Sequence, residues 1–201
     1  MEFSAWLSLA TICILGVMTP GQSFIVILRH SLAGRINGLT ASLAHGLGVA
    51  LYAMLTVTGL AIIIQQTPWL FNLIKYFGVA FLLFLAYKAL ASKAADTKFS
   101  VQKTRVPLCQ SFSEGLMVAF LNPKLAIFFL ALFSQFVDAQ GGWQKNLIIT
   151  STVACIDTLW YCLISLLLSH PVIMSTLRSN LHIIEKLTGI ALLAVALKVA
   201  V

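Results

Sequence analysis

Residues 3–28, FSAWLSLATICILGVMTPGQSFIVIL, and residues 115–137, GLMVAFLNPKLAIFFLALFSQFV, decide the fold of this chain. Each is long enough to cross a bilayer, for which an α-helix needs about 20 apolar residues. Each is broken by proline, at Thr19-Pro20-Gly21-Gln22-Ser23 and at Asn122-Pro123-Lys124. A mid-helix proline removes one backbone donor and frees the carbonyl one turn earlier. Within a membrane such loose groups persist only where protein or a water-filled cavity satisfies them. Two breaks in corresponding places of two halves point to a solute site between repeats.

The rest of the chain has the same character. It is 60% hydrophobic and 9% charged, with a mean hydropathy of +0.97, whereas soluble domains carry about 25% charged residues. Further apolar runs at 39–64, 69–90, 147–169 and 183–201 bring the expected spans to six. The last is the weakest, because Glu185, Lys186 and Lys198 leave only 187–197 uncharged, although lysine near a helix end can reach the interface. The first run reads as a retained span. Glu2 replaces the basic leader of a signal peptide, whose apolar region is usually about 7–15 residues.

The stretch 91–110 is polar, with Lys93, Asp96, Lys98, Lys103 and Arg105, and divides a first three-helix repeat (1–90) from a second (111–201). The halves echo each other: Gly16 before Thr19-Pro20 matches Gly115 before Asn122-Pro123, Tyr52 matches Tyr161, and Lys75-x-x-Gly78 matches Lys186-x-x-Gly189. Three spans is an odd number, so the second half must be inverted relative to the first. The expected fold is an all-α integral membrane protein of six transmembrane helices in two inverted repeats, with spans one and four broken.

Basic residues orient it. Arg29, Arg35, Lys88, Lys93, Lys98, Lys103, Arg105, Arg178 and Lys186 fall on one side, and Lys75, Lys145 and Lys198 on the other. The basic side faces the cytoplasm, which makes 91–110 a cytoplasmic linker and puts both termini outside. The net charge of +7 therefore belongs to short connections rather than to a basic face for nucleic acid. Cys13, Cys109, Cys155 and Cys162 form no C-x-x-C pair and no zinc spacing, so they read as packing residues.

Ionisable groups at membrane depth cost about 2.5–3.5 kcal/mol on insertion scales and need a reason. Asp157, inside span five, reads as a proton-coupling carboxylate; the alternative is a fixed ion pair with Lys124, which follows the break in span four. Asp157, Trp160 and Tyr161 share a helical face by their i, i+3, i+4 spacing, and that face either lines a site or merely packs. Thr19, Gln22 and Ser23 offer polar groups beside unwound backbone. The helix restarting after Pro20-Gly21 presents N–H groups that favour an anion such as a carboxylate. His45, among glycines on span two, suits either packing or a proton relay. Glu114 reads as a solvated or capping residue. No zinc motif, phosphate loop or G-x-S-x-G elbow occurs.

These residues resemble a known family. Thr19-Pro20-Gly21, the glycines around His45 (Gly34, Gly38, Gly46, Gly48), and Phe112, Gly115-Leu116 and Asn122-Pro123-Lys124 followed by Phe128-Phe129 and Gln135-Phe136-Val137 look like the LysE/RhtB amino-acid exporters. Asp157 before Trp160-Tyr161, and Gly189, are also similar. The resemblance covers nearly the whole chain and implies a bacterial inner-membrane exporter of amino acids or derivatives, driven by protons and assembled as a homodimer. Gln22 and Ser23 stand where the family usually has Pro and then Asn or Asp. Leu125 replaces Ala, and Ser134 replaces a frequent Pro.

The expected substrate-binding residues are Thr19, Pro20, Gly21, Gln22, Ser23, Asn122, Pro123, Lys124 and Tyr161, with Asp157 and His45 coupling protons and no metal or cofactor. Partners are a small amino-acid-like solute, lipid and protons, not nucleic acid. Cation or metal efflux is the alternative within the transporter class. An intramembrane enzyme built on Ser23 and His45, or a cysteine relay, is the alternative outside it.

Overall fold

The computed structural model describes residues 1–19, 21–91, 106–138 and 142–167, together with 183, 186, 187, 189, 190, 192–194 and 196. Among the described residues seven continuous helices are defined: α1 (Phe3–Met18), α2 (Gln22–Ala33), α3 (Arg35–Gln66), α4 (Pro68–Leu90), α5 (Leu108–Leu121), α6 (Pro123–Phe133) and α7 (Gly142–Leu167). No strand occurs among the described residues. Helices α3, α4 and α7 are each long and apolar enough to cross a membrane. The pairs α1/α2 and α5/α6 pass the same test jointly, with bends of 61° and 53° at their breaks, which gives up to five candidate spans.

The apolar runs at 39–64, 69–90 and 147–169 thus correspond to α3, α4 and α7, and the two proline-broken runs to the bent pairs. Helix ends extend past the apolar runs because backbone pairing continues through polar flanks: α3 starts at Arg35 and α5 at Leu108. The sixth run falls mainly outside the described residues. Those described there are helical, with Leu192 and Ala196 buried in the main core. Pro20 and residues 92–105 also lie outside the described residues, as do Arg178 and Lys198.

Helix α3 runs through the centre, against α2, α4, α5, α6 and α7. It buries Val49, Ala53, Val57 and Leu60 on one face and exposes Leu43, Leu47, Leu51 and Leu55 on another. A helix apolar all round has no solvated side and belongs in lipid. The exposed Trp69, Tyr76, Phe77 and Phe84 of α4 say the same. The protein is a multi-pass membrane protein.

Lipid gives no hydrophobic drive to helix association, so close backbones and polar contacts must hold the bundle. Gly115 supplies the first: a Cβ there would lie 2.8 Å from the Ala41 Cα, so α5 and α3 touch backbone to backbone. Buried serines supply the second. Ser31 Oγ donates to Ser165 Oγ at 2.9 Å, and Ser42 Oγ lies 2.9 Å from the same oxygen, tying α2 and α3 to α7.

Candidate functional site

The two breaks meet. Asn122, the N-cap of α6, accepts the Lys124 backbone N–H through its Oδ1 at 3.0 Å, which fixes the restart of the helix with Pro123 in its first turn. Its amide nitrogen donates across to Ser23 Oγ, at 3.0 Å, near the start of α2. Lys124 reaches back in the same direction, its Nζ donating to the Thr19 carbonyl at 3.0 Å. That carbonyl lies at the unwound end of α1, where the proline break leaves oxygens without helical donors. The second break thus satisfies a loose carbonyl of the first, and the first accepts the Asn122 side-chain amide in return.

From Ser23 the hydrogen bonds continue inward. His45 Nε2 lies 2.8 Å from Ser23 Oγ, and His45 Nδ1 lies 2.8 Å from Asp157 Oδ2. All four side chains are buried, His45 completely. The set closes without conflict when His45 carries its proton on Nδ1. Asn122 then donates to Ser23, Ser23 donates to His45 Nε2, and His45 donates to the carboxylate. Tyr161 packs edge-on against the His45 ring, with centroids 5.1 Å apart, and its hydroxyl interacts with Ser23. The carboxylate at membrane depth is thereby paired, as a buried charge requires.

Beside this chain lies a cavity of about 60 Å³ between α1, α2, α6 and α7. Its lining includes Thr19, Gly21, Ser23, Asn122, Lys124, Asp157 and Tyr161, so seven of the residues expected from sequence share one space. His45 stands behind Asp157, outside the lining. Gln22 and Pro123 are exposed and outside it too, and Pro20 is outside the described residues. Apolar lining outside the expected site residues comes from Cys13, Val17, Leu125, Phe128, Phe129, Val153 and Ile156. Trp160, on the expected face of α7, packs instead against the buried cluster that contains Phe24, Ile27, Leu28, Ala41, Tyr161 and Ile164.

A second polar cluster joins the halves at the far end of α2. Glu114 on α5 pairs with Arg29 and, at 3.0 Å, with His30 Nε2, and it accepts from Gln110 at 2.8 Å. The capping or solvated role expected for Glu114 gives way to a pairing between α5 and α2 that anchors a fully buried imidazole. No group of three or more His, Cys, Asp or Glu suited to a metal ion occurs among the described residues.

Apolar-faced helices, two bent helix pairs and a cavity between their breaks define a multi-pass membrane protein. Comparison with known proteins then identifies the family: the model described as LysE type translocator matches residues 14–201, and the chain belongs to that family. It is a translocator family, which sets the enzyme alternative aside. A leucine efflux protein of Salmonella typhimurium is 31% identical over 62% of this chain, and the chain spans 59% of that protein's length. The uncharacterized membrane protein YrhP of Bacillus subtilis is 25% identical over 90% of this chain and 91% of its own. YahN of Escherichia coli, also an uncharacterized membrane protein, is 29% identical over 77% and 70%. No solved structure matches.

Proposed function

We propose that this protein exports amino acids across the bacterial inner membrane by proton antiport. The observation that carries this reading is the buried Asp157, bonded to His45 and exposed to a cavity between two broken helices. The family match supports transport, and the leucine efflux relatives support an amino acid as cargo.

The cavity offers partners for both ends of a zwitterion. Asp157, Tyr161 and the Thr19 carbonyl receive the ammonium group. The carboxylate is held by Lys124 and by the N-terminus of α2, which has no side-chain cap and borders the cavity at Gly21 and Ser23. The α6 N-terminus is the weaker anion site, since Asn122 already occupies one of its amides.

In the antiport cycle the ionised Asp157 holds the ammonium group. A proton arriving from the periplasm neutralises the carboxylate, and the substrate leaves outward. The proton then departs to the cytoplasm when the site faces inward. His45 holds Asp157 in place and passes the protonation change to Ser23, and so to both breaks.

The architecture that goes with this cycle is six spans in two inverted repeats, 1–90 and 111–201, joined by a cytoplasmic linker at 91–110, with both termini periplasmic and two copies forming a dimer. Reciprocal packing supports the inversion: α3 of the first half lies against α5 and α6 of the second, and α7 of the second lies against α1 and α2 of the first. The test is efflux of labelled amino acids from cells carrying the native or Asp157→Asn protein, with and without an uncoupler. Export that needs both Asp157 and the gradient is expected. Export indifferent to both, in correctly inserted protein, would remove the coupling role.

A further inference from the structure

The polar groups of the cavity account for the invariant ends of an amino acid and leave its side chain unassigned. What remains of the lining is apolar, with Phe128 in a special position. A Cβ on Gly16 of α1 would lie 2.5 Å from the Phe128 Cζ and 3.0 and 3.2 Å from its two Cε atoms. The tip of the ring fills the notch left by the missing side chain, and both residues line the cavity. Beside it on the same lining, Phe129 has its ring centroid 6.3 Å from that of Phe128 and stacks on Phe133 at 4.9 Å. How far Phe128 intrudes is thus set by what occupies position 16.

We propose that Phe128, seated against Gly16, sets the upper size of the substrate side chain, and that the cargo is amino acids with uncharged aliphatic side chains. The proposal rests on the amino-acid export reading above. Cys13, Val17, Val153, Ile156 and Phe129 complete an apolar wall that offers a charged side chain no ionic partner. An apolar pocket discriminates about 10–200-fold per methylene, which a single ring moving in or out of the cavity is enough to exploit.

The test uses proteoliposomes of native, F128A, F128L and G16A protein and the labelled probes alanine, leucine, phenylalanine and lysine. Native protein transports leucine in preference to lysine. F128A raises the phenylalanine-to-leucine ratio by roughly tenfold or more, with F128L between it and native. G16A drives the ring inward and lowers the leucine-to-alanine ratio by roughly tenfold. Rates that change by one common factor for every probe would make Phe128 purely structural and overturn the inference while leaving export intact. A native preference for lysine would overturn the aliphatic class alone. Transport of none of the four by native protein would count against the export reading and this inference with it. The gel-filtration profile identifies misfolded variants, and if G16A is one of them the F128A and F128L ratios decide.

Discussion

His45 Nδ1 lies 2.8 Å from Asp157 Oδ2, joining the first half of α3 to the middle of α7 through a completely buried imidazole. The other ring nitrogen lies 2.8 Å from Ser23 Oγ, so one histidine bridges the carboxylate and the break in the first span. Two hydrogen bonds separate Asp157 from that break. The lattice around the site is therefore the place where substitutions have separable effects.

Asp157→Ala leaves His45 Nδ1 buried without an acceptor, a loss of about 1–3 kcal/mol. Asp157→Asn keeps an acceptor oxygen and gives up only the charge. Thermal unfolding of the purified protein should show the Ala variant clearly less stable than the Asn variant, while both lose gradient-driven efflux. Equal stability of the two would mean that His45 does not depend on this oxygen.

Asn122 has two separable duties, the α6 cap and the donor to Ser23. Asn122→Ser retains a cap acceptor and loses the amide donor, whereas Asn122→Ala loses both. The cap alone is worth about 1 kcal/mol. The midpoint of thermal unfolding should therefore fall in the order native, Ser, Ala. A Ser variant no better than Ala would show that the cap contributes nothing.

Glu114→Ala strips the acceptor from His30 Nε2, whose ring is completely buried, and should destabilise by about 1–3 kcal/mol. Glu114→Gln retains an acceptor for His30 and removes the ion pair with the largely exposed Arg29, worth about 0–1 kcal/mol. Unfolding measured in low and high salt checks this: the Gln variant should be mildly affected and less sensitive to salt than native protein.

Gly115→Ala places a methyl group against the Ala41 backbone, which has no side-chain freedom with which to yield. Overpacking of this kind costs about 1–3 kcal/mol. A shorter half-life in detergent at elevated temperature is the expected result. An unchanged half-life would mean that α3 and α5 can part without loss.

Much of the site was legible before any geometry. Proline in an apolar run is a local chemical fact, so the breaks at 19–23 and 122–124 could be located and their meeting expected from their matched positions. Asp157 stood out because a charge at that depth requires a partner. Its partner in the fold is His45, which lies 112 residues away in the chain, and hydropathy ranks a histidine among glycines as packing. In sequence Glu114 reads as a solvated or capping residue because its partners Arg29 and His30 lie on a helix far away in the chain. Gln22 was grouped with its neighbours by sequence and is turned outward by the helical rotation that follows the break.

The sequence by itself determined that this chain lives in a bilayer, where its spans are interrupted, and which polar residues lie at depth. Those follow from the composition and spacing of residues along one strand of chain. Only the tertiary structure decided which of those residues meet: that Ser23, His45, Asp157 and Asn122 form one hydrogen-bonded set, and that Phe128 rests on Gly16. Contacts between helices depend on the rotation and depth of each about its own axis. Those are fixed by the packing of small residues across the bundle rather than by any local preference of the chain.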